Sequence, residues 1–250
     1  MNDYESRYEL LNDKCNLIKN KVLDIGSKNG QDLLAFNQHG FTQLLGIDNE
    51  MNKFPTSNMF VYQLLKNNEI KCEENKFYFI TSSEEKYDLI KLFEVIRNNK
   101  ELKSRFEKLQ SEISLLQVDF NDYPREFDQI KKFNLVMCSF VLHFYPSTKD
   151  NELINKLQSL LLPEGYLYIK VHNLERFHSY NKNYTDEQSK NVEYNKTLMT
   201  ITERNWNNSK EVTWYLFDSL RIENYVKSFK LIYLSPEEKD FSELILQNKK

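Results

Sequence analysis

Apolar residues recur along this chain first with a helical period, then with the shorter rhythm of strands. Tyr8, Leu11, Cys15 and Ile18 fall three or four residues apart, which predicts a helix over residues 4–20. Lys21 to Ile25 is a short apolar run ending at Gly26 and predicts a strand. Residues 31–38 read as a helix stopped near Gly40, and residues 44–48 as a second strand closed by a carboxylate. Strand, glycine turn, helix and strand in that order make a βαβ unit, and hence a parallel sheet. The alternation continues with strands at 115–118 and 133–139, joined by a crossover through 121–132. A helix at 152–162 is closed by Pro163-Glu164-Gly165, and a strand follows at 166–171. A helix at 219–228 and strands at 229–234 and 241–247 complete the set. The predicted fold class is α/β: a doubly wound, mostly parallel seven-stranded sheet with helices on both faces.

Two stretches exceed what this alternation needs. Residues 50–113 are too long for one crossover, and carry helical patterns at 87–96 and at Leu102, Phe106, Leu109 and Ile113. A mainly helical insertion is predicted there. Residues 172–218 begin polar and then alternate at 197–206 and 212–217, around Asn207-Asn208-Ser209-Lys210. That predicts a small antiparallel hairpin. No repeat, low-complexity tract or linker divides the chain, so residues 1–250 are expected to form one domain.

Bulk properties narrow the function classes. Hydrophobic residues make up 40% of the 250, charged residues 28% and aromatics 14%, the balance of a folded soluble domain. The mean hydropathy of -0.67 reflects surface Lys, Asn and Glu, because disordered chains are poor in aromatics. A net charge of -3 provides no global positive field for nucleic acid. The three cysteines form no C-x-x-C pair and leave an odd count. That argues against a disulfide framework or a Cys-rich zinc site and for a reducing cytoplasm, with no metal expected. The opening Met1-Asn2-Asp3-Tyr4-Glu5 is unlike a signal peptide. The most apolar run, 133–145, is too short to cross a bilayer and contains Asn134 and His143. No membrane association is expected.

Candidate chemistry begins at Val22-Leu23-Asp24-Ile25-Gly26-Ser27-Lys28-Asn29-Gly30. Gly26 sits where a strand must turn sharply into a helix. Gly30 lets a ligand approach the first turn of that helix, whose free N–H groups attract anions. Asp48, about 20 residues further on, closes the second strand where an acid can take ribose hydroxyls. It equally suits a generic strand-end cap. The glycines do not follow G-x-G-x-x-G, and Asp24 just before the turn would repel a pyrophosphate but attract an ammonium. A cofactor joining adenosine to an amino acid fits better than a dinucleotide.

With these motifs in place, the chain resembles the class I S-adenosylmethionine-dependent methyltransferases. The resemblance rests on four motifs in order: 22–30, 45–48, 117–120 with 133–139, and 161–169. It implies that Asp24, Gly26, Ser27 and Gly30 surround the methionine part of S-adenosylmethionine, and that Asp48 with Asn49 binds the ribose. It also implies that Asp119 and Phe120 hold the adenine, and that Cys138 and Ser139 lie beside the sulfonium and the acceptor. Ser27 stands where many members have Cys or Ala, Lys28-Asn29 replaces a second glycine, and Asn134 replaces a common Asp.

Methyl transfer from a sulfonium asks mainly for orientation, and for a base only if the nucleophile must lose a proton. His143, just past the fourth strand, is the candidate base; a histidine satisfied by backbone in a strand-end loop is the other reading. His172 is a weaker candidate of the same kind. Tyr4, Tyr8, Trp206, Trp214 and Tyr215 are either acceptor-lining or packing aromatics. The favoured acceptor is a small molecule, covered by the N-terminal helix, the 172–218 region and, as a further candidate, the 49–113 insertion. A second reading follows from a subgroup likeness. Gly30-Gln31-Asp32-Leu33-Leu34 and Ser139-Phe140-Val141-Leu142-His143-Phe144 resemble elements of the messenger-RNA cap guanine-N7 methyltransferases. Ser139 and Phe144 depart from that pattern, Thr213 stands where an acid should meet the guanine, and the charge disfavours RNA. A third reading is a non-catalytic cofactor-binding or partner-binding subunit, docking another chain through the Leu102–Ile113 stripe.

Overall fold

The computed structural model describes residues 3–27, 30–48, 70–73, 76–80, 86–87, 113–117, 120, 132–173, 192–195, 199–204, 211–236 and 241–249, with single positions 98, 100, 104 and 112. Helix α1 (Asp3–Lys14) leads into β1 (Lys21–Ile25), α2 (Gln31–Gln38) and β2 (Gln43–Asp48). Strands β3 (Ile70–Glu73), β4 (Lys76–Ile80) and β5 (Lys86–Tyr87) follow, then β6 (Ile113–Gln117) and β7 (Phe133–Ser139). Helix α3 (Asp150–Leu160) precedes the long β8 (Leu161–His172). Three strands come next: β9 (Val192–Asn195), β10 (Thr200–Arg204) and β11 (Glu211–Tyr215). Helix α4 (Ser219–Ser228), β12 (Phe229–Leu234) and β13 (Phe241–Asn248) close the chain.

The central sheet runs β12-β13-β8-β7-β1-β2-β6. Its β8-β7-β1-β2-β6 part is parallel, while β13 is antiparallel to both β8 and β12. Strand β1 lies in the middle of this parallel part and is buried from Val22 to Ile25, as a strand covered on both faces must be. Its alternate side chains divide the core. Leu23 and Ile25 join Val136 and Cys138 of β7 in a cluster with Leu153, Ile154 and Leu157 of α3 and Tyr225 of α4. Val22 joins Leu135 and Met137 in a second cluster with Tyr8 and Leu11 of α1 and Leu33 and Leu34 of α2. Truncating one such side chain, as in Leu23→Ala, costs about 2–5 kcal/mol.

The structure departs from the sequence reading in four places. Helix α1 stops at Lys14, not residue 20, because Asn12, Asp13 and Asn16 are weak helix formers; Ile18 ends up 64% exposed, off the predicted stripe. Within the insertion, residues 70–87 form an antiparallel sheet of order β3-β4-β5, where a mainly helical segment was predicted. Phe77-Tyr78-Phe79-Ile80 is an aromatic, β-branched run that suits a strand. Ile113, the last position of the predicted helical stripe, pairs with Leu44 as the first residue of β6; the stripe before it lies outside the described residues, as does the 121–131 crossover. Finally, Pro163-Glu164-Gly165 does not terminate the helix but is absorbed into β8, with Glu164 at φ 59 and a register shift against β7. The hairpin over 197–217 is present as β10–β11, and gains β9 as a third strand.

Candidate cofactor and acceptor site

The order of the sheet fixes where a ligand can enter. From β1 the chain moves outward through β2 and β6, then returns to the other side of β1 with β7 and β8. The crevice between β1 and β7 is therefore the topological switch point, and open α/β sheets bind ligands at the carboxyl ends of the strands there. Gly26 and Ser27 leave β1 at that edge, and their N–H groups donate to Ile47 O at 2.8 and 3.1 Å. This draws the turn over the end of β2, beside Asp48. Gly26 has φ 75, and Gly30 caps α2 at φ 69, ψ 26, so both occupy the left-handed region that glycine favours. A Cβ on Gly26 would stand 2.2 Å from Val141 Cγ2, so the turn after β1 touches the turn after β7 with no room to spare.

The electrostatics of this edge involve a residue that the sequence reading did not select. Asp24, 2% exposed, lies near Asp32 of α2, Asp48 and Arg7 of α1. Arg7 and Asp32 form a buried ion pair through Nη1 and Oδ2. Burial above all, then Asp32, pushes the Asp24 carboxyl well above the usual range; Arg7 opposes this and Asp48 adds to it. A positive group arriving beside it would favour the charged carboxylate. Burial disfavours the Arg7 charge, yet Asp32, Tyr168 and Asp24 outweigh it and its pKa ends raised. The Ser27 hydroxyl is buried and has no hydrogen-bond partner among the described residues.

On the β7 side, Phe140 takes φ 56 while its N–H donates to Lys170 O at 2.7 Å. That bend turns the chain into a 3₁₀ turn, Leu142–Phe144, which carries His143. His143 is 2% exposed and belongs to a ring cluster. Its centroid lies 4.6 Å from His172, 4.3 Å from Phe144 and 6.3 Å from Trp214. His172 lies 4.8 Å from Phe140 and 5.2 Å from Trp214. Lys170 Nζ sits 3.9 Å from the Phe241 ring centroid and 3.6 Å from Glu243 Oε1. The hairpin thus reaches the sheet edge through Trp214, and two imidazoles meet beneath it.

Of the residues selected from sequence, the structure brings Asp24, Gly26, Ser27, Gly30 and Asp48 to one edge, with Ser139 and His143 across the crevice. Asp48 pairs with Gln117, so the end of β6 adjoins it. Phe120 packs into the core with Lys156 Nζ 4.5 Å from its ring centroid. Cys138 is enclosed in the same cluster, not turned toward a ligand, because its neighbours on that side of β7 are core residues. Asn49, Asp119 and Trp206 lie outside the described residues. Tyr8 is a packing residue: it stacks on His39 at 3.7 Å and meets Phe36 edge-on, because its face of α1 turns to α2. Arg7 carried one signal, a cation on the apolar-striped helix, which alone reads as a surface residue. No helix among the described residues is long and apolar enough to cross a membrane.

A methyltransferase-domain family model matches residues 6–209. No curated protein matches the sequence. Among solved structures, the PH0226 protein from Pyrococcus horikoshii OT3 is similar at 17% identity and TM-score 0.56, covering 100% of this chain and 92% of that one. An S-adenosylmethionine-dependent methyltransferase from Clostridium acetobutylicum ATCC 824 is similar at 11% identity and TM-score 0.55, over 99% and 91%. The CcbJ methyltransferase from Streptomyces caelestis is similar at 8% identity and TM-score 0.57, over 98% and 95%. These likenesses show the fold, and the family match covers most of the chain. The chain belongs to the class I, Rossmann-like S-adenosylmethionine-dependent methyltransferase family and is an enzyme of it.

Proposed function

We propose that this enzyme transfers a methyl group in line from S-adenosylmethionine to a small-molecule acceptor, on a doubly wound seven-stranded sheet with helices on both faces. The observation that carries the reading is one sheet edge where a glycine turn flanked by Asp24 and Asp48 faces a ring cluster containing His143. The residues present suit the cofactor. Ser27 offers a buried hydroxyl with spare hydrogen-bonding capacity among the described residues, and Asp24 a buried carboxyl short of positive partners. Bound there, S-adenosylmethionine supplies a methyl group already activated by its sulfonium.

The chain's own residues orient and desolvate. Gly26, Ser27, Gly30 and Asp24 hold the methionine part, and Asp24 ionises against its ammonium. Asp48 and Asn49 accept the ribose hydroxyls, while Asp119 accepts from the adenine amino group. Ser139 borders the acceptor. His143 takes a proton from the nucleophile on an imidazole nitrogen, and the rings around it exclude water. Positioning supplies most of the acceleration in such a displacement. A net charge of -3 supports a small molecule over RNA. Against a cap guanine, Thr213 spends its hydroxyl on Thr202 at 3.2 Å, where an acid would be needed. Free, buried Cys15 and Cys138 suit a reducing cytoplasm.

Calorimetric titration with S-adenosylmethionine and S-adenosylhomocysteine tests the reading. Micromolar binding of both, at about -8 kcal/mol, is expected; binding of neither overturns it. Methyl transfer to a metabolite panel, compared with capped RNA, then separates the acceptor classes.

A further inference from the structure

Arg221 lies outside the cofactor edge and outside every family motif, yet its guanidinium is 3% exposed. It enters the core at the start of α4, where the Asp218 side chain caps the helix by accepting the Arg221 N–H at 2.8 Å. Its Nε donates to both carboxylate oxygens of Asp150, at 3.0 and 2.9 Å, and Nη2 adds a bond to Oδ1 at 2.7 Å. Asp150 is the first residue of α3 and is itself 2% exposed. Nη2 also donates to the backbone carbonyl Tyr145 O at 2.9 Å and shares that hydrogen with Leu142 O at 3.5 Å, and Nη1 reaches Tyr215 O at 3.4 Å. Phe217 lies flat beneath, 4.0 Å from the guanidinium carbon.

The identity of those carbonyls matters. Leu142 and Tyr145 bracket the turn that holds His143, and Tyr215 follows Trp214 at the end of β11. One rigid fork therefore ties together the His143 turn, the hairpin that brings Trp214 over it, and the head of α3. For stability alone a buried ion pair is a poor choice, since an apolar pair of the same volume does as well or better. Geometry is what only Arg supplies, because its planar donors are fixed relative to one another and a lysine ammonium cannot span the same acceptors.

We propose that Arg221 is a positioning residue for the acceptor side: it sets the His143 turn and the Trp214 strand relative to each other. This rests on the reading of His143 and its ring cluster as the acceptor side. The test is Arg221→Lys in the full-length protein, followed by imidazole 1H–15N spectra and intrinsic fluorescence in a Trp206→Phe background. His39, on the opposite side of the core beside Tyr8, is the internal control. The expected result is a shift of the His143 and His172 resonances and of Trp214 emission, with His39 unmoved. Unmoved His143 and Trp214 signals overturn the proposal. So does a uniform change that includes His39, which marks Arg221 as a residue of general stability. Failure of the wild-type protein to bind the cofactor overturns the functional reading instead, and leaves the spectra to decide on Arg221.

Discussion

Gly26→Ala puts the contact between the two strand-end turns to a quantitative test. Two costs add. An L-residue at φ 75 is in the left-handed region, which costs about 1–2 kcal/mol. The new methyl would also stand 2.2 Å from Val141 Cγ2, against a normal carbon contact of about 3.5–4.0 Å. Valine is stiff about χ1, so relief requires a poorer rotamer or a backbone shift, typically about 1–3 kcal/mol. The total, about 2–5 kcal/mol, is a large part of an ordinary domain's stability. Val141→Ala removes Cγ2, and the next atoms, Val141 Cβ at 3.7 Å and Ser139 O at 3.9 Å, are ordinary contacts. The double variant should therefore keep only the backbone cost and the lost packing of the valine methyls. Urea denaturation of wild type, both single variants and the double variant gives the coupling energy directly. A favourable coupling of about 1–3 kcal/mol is expected, with cofactor affinity lost in Gly26→Ala and partly recovered in the double variant. Additivity within about 0.5 kcal/mol would refute the contact.

Asp48→Ala should weaken S-adenosylhomocysteine binding about 10- to 100-fold by removing a charged acceptor, with the melting temperature of the free protein little changed; titration and thermal melts check both. Asp24 carries a pH signature. Burial, then Asp32, raises its pKa above the unfolded value near 3.9, so the native state retains a proton that the unfolded chain has lost. The penalty is absent below the unfolded pKa, grows as pH rises, and is complete above the folded pKa. Stability of the wild type should thus decline relative to Asp24→Asn from about pH 4 upward, and parallel urea-midpoint profiles for the two proteins would exclude the effect. Arg7→Met leaves Asp32 and Asp24 buried without their cation and should cost about 3–5 kcal/mol, measured by denaturant unfolding. Burial pushes the Cys15 thiol up to about 12 and the Cys138 thiol further, so in a Cys72→Ser variant neither should react with a thiol reagent until denaturant is added.

The strands that build the proposed cofactor edge were legible because each is short, apolar and ended by a residue of special conformation or charge. Gly26 after β1 and Asp48 at the end of β2 stand where the motif order placed them. The proposed acceptor side was only half legible. His143 and Trp214 were visible as residue types, but their meeting with His172 depends on pairing between strands far apart in sequence. The polar contacts were least legible. Arg7–Asp32 spans 25 positions and Arg221–Asp150 spans 71, so no local period could announce either pair. In the insertion, the helical period of residues 102–113 and the strand propensity of 76–80 point to different structures. Such ambiguity is expected where tertiary partners decide. Pro163-Glu164-Gly165 has the residue types of a helix stop, yet it forms a bulge inside a continuing strand, because the pairing partners on either side of β8 decide its conformation.

The register of β8 has a consequence for how this sequence can change in length. Tyr166, Tyr168, Lys170 and His172 share one face, opposite Gln247, Ile245, Glu243 and Phe241 of β13. The series grades from a partly buried tyrosine at the rear, through Tyr168 donating to Glu243 at 2.7 Å, to the imidazole at the mouth. Deleting one residue between 166 and 172 would turn every later side chain to the opposite face, sending Lys170 into an apolar layer and an aliphatic residue to the mouth. Gains and losses of single residues should therefore be barred from that span. They have somewhere to go at 163–165, where the register against β7 is already broken and an extra residue can be looped out without disturbing the pairs beyond.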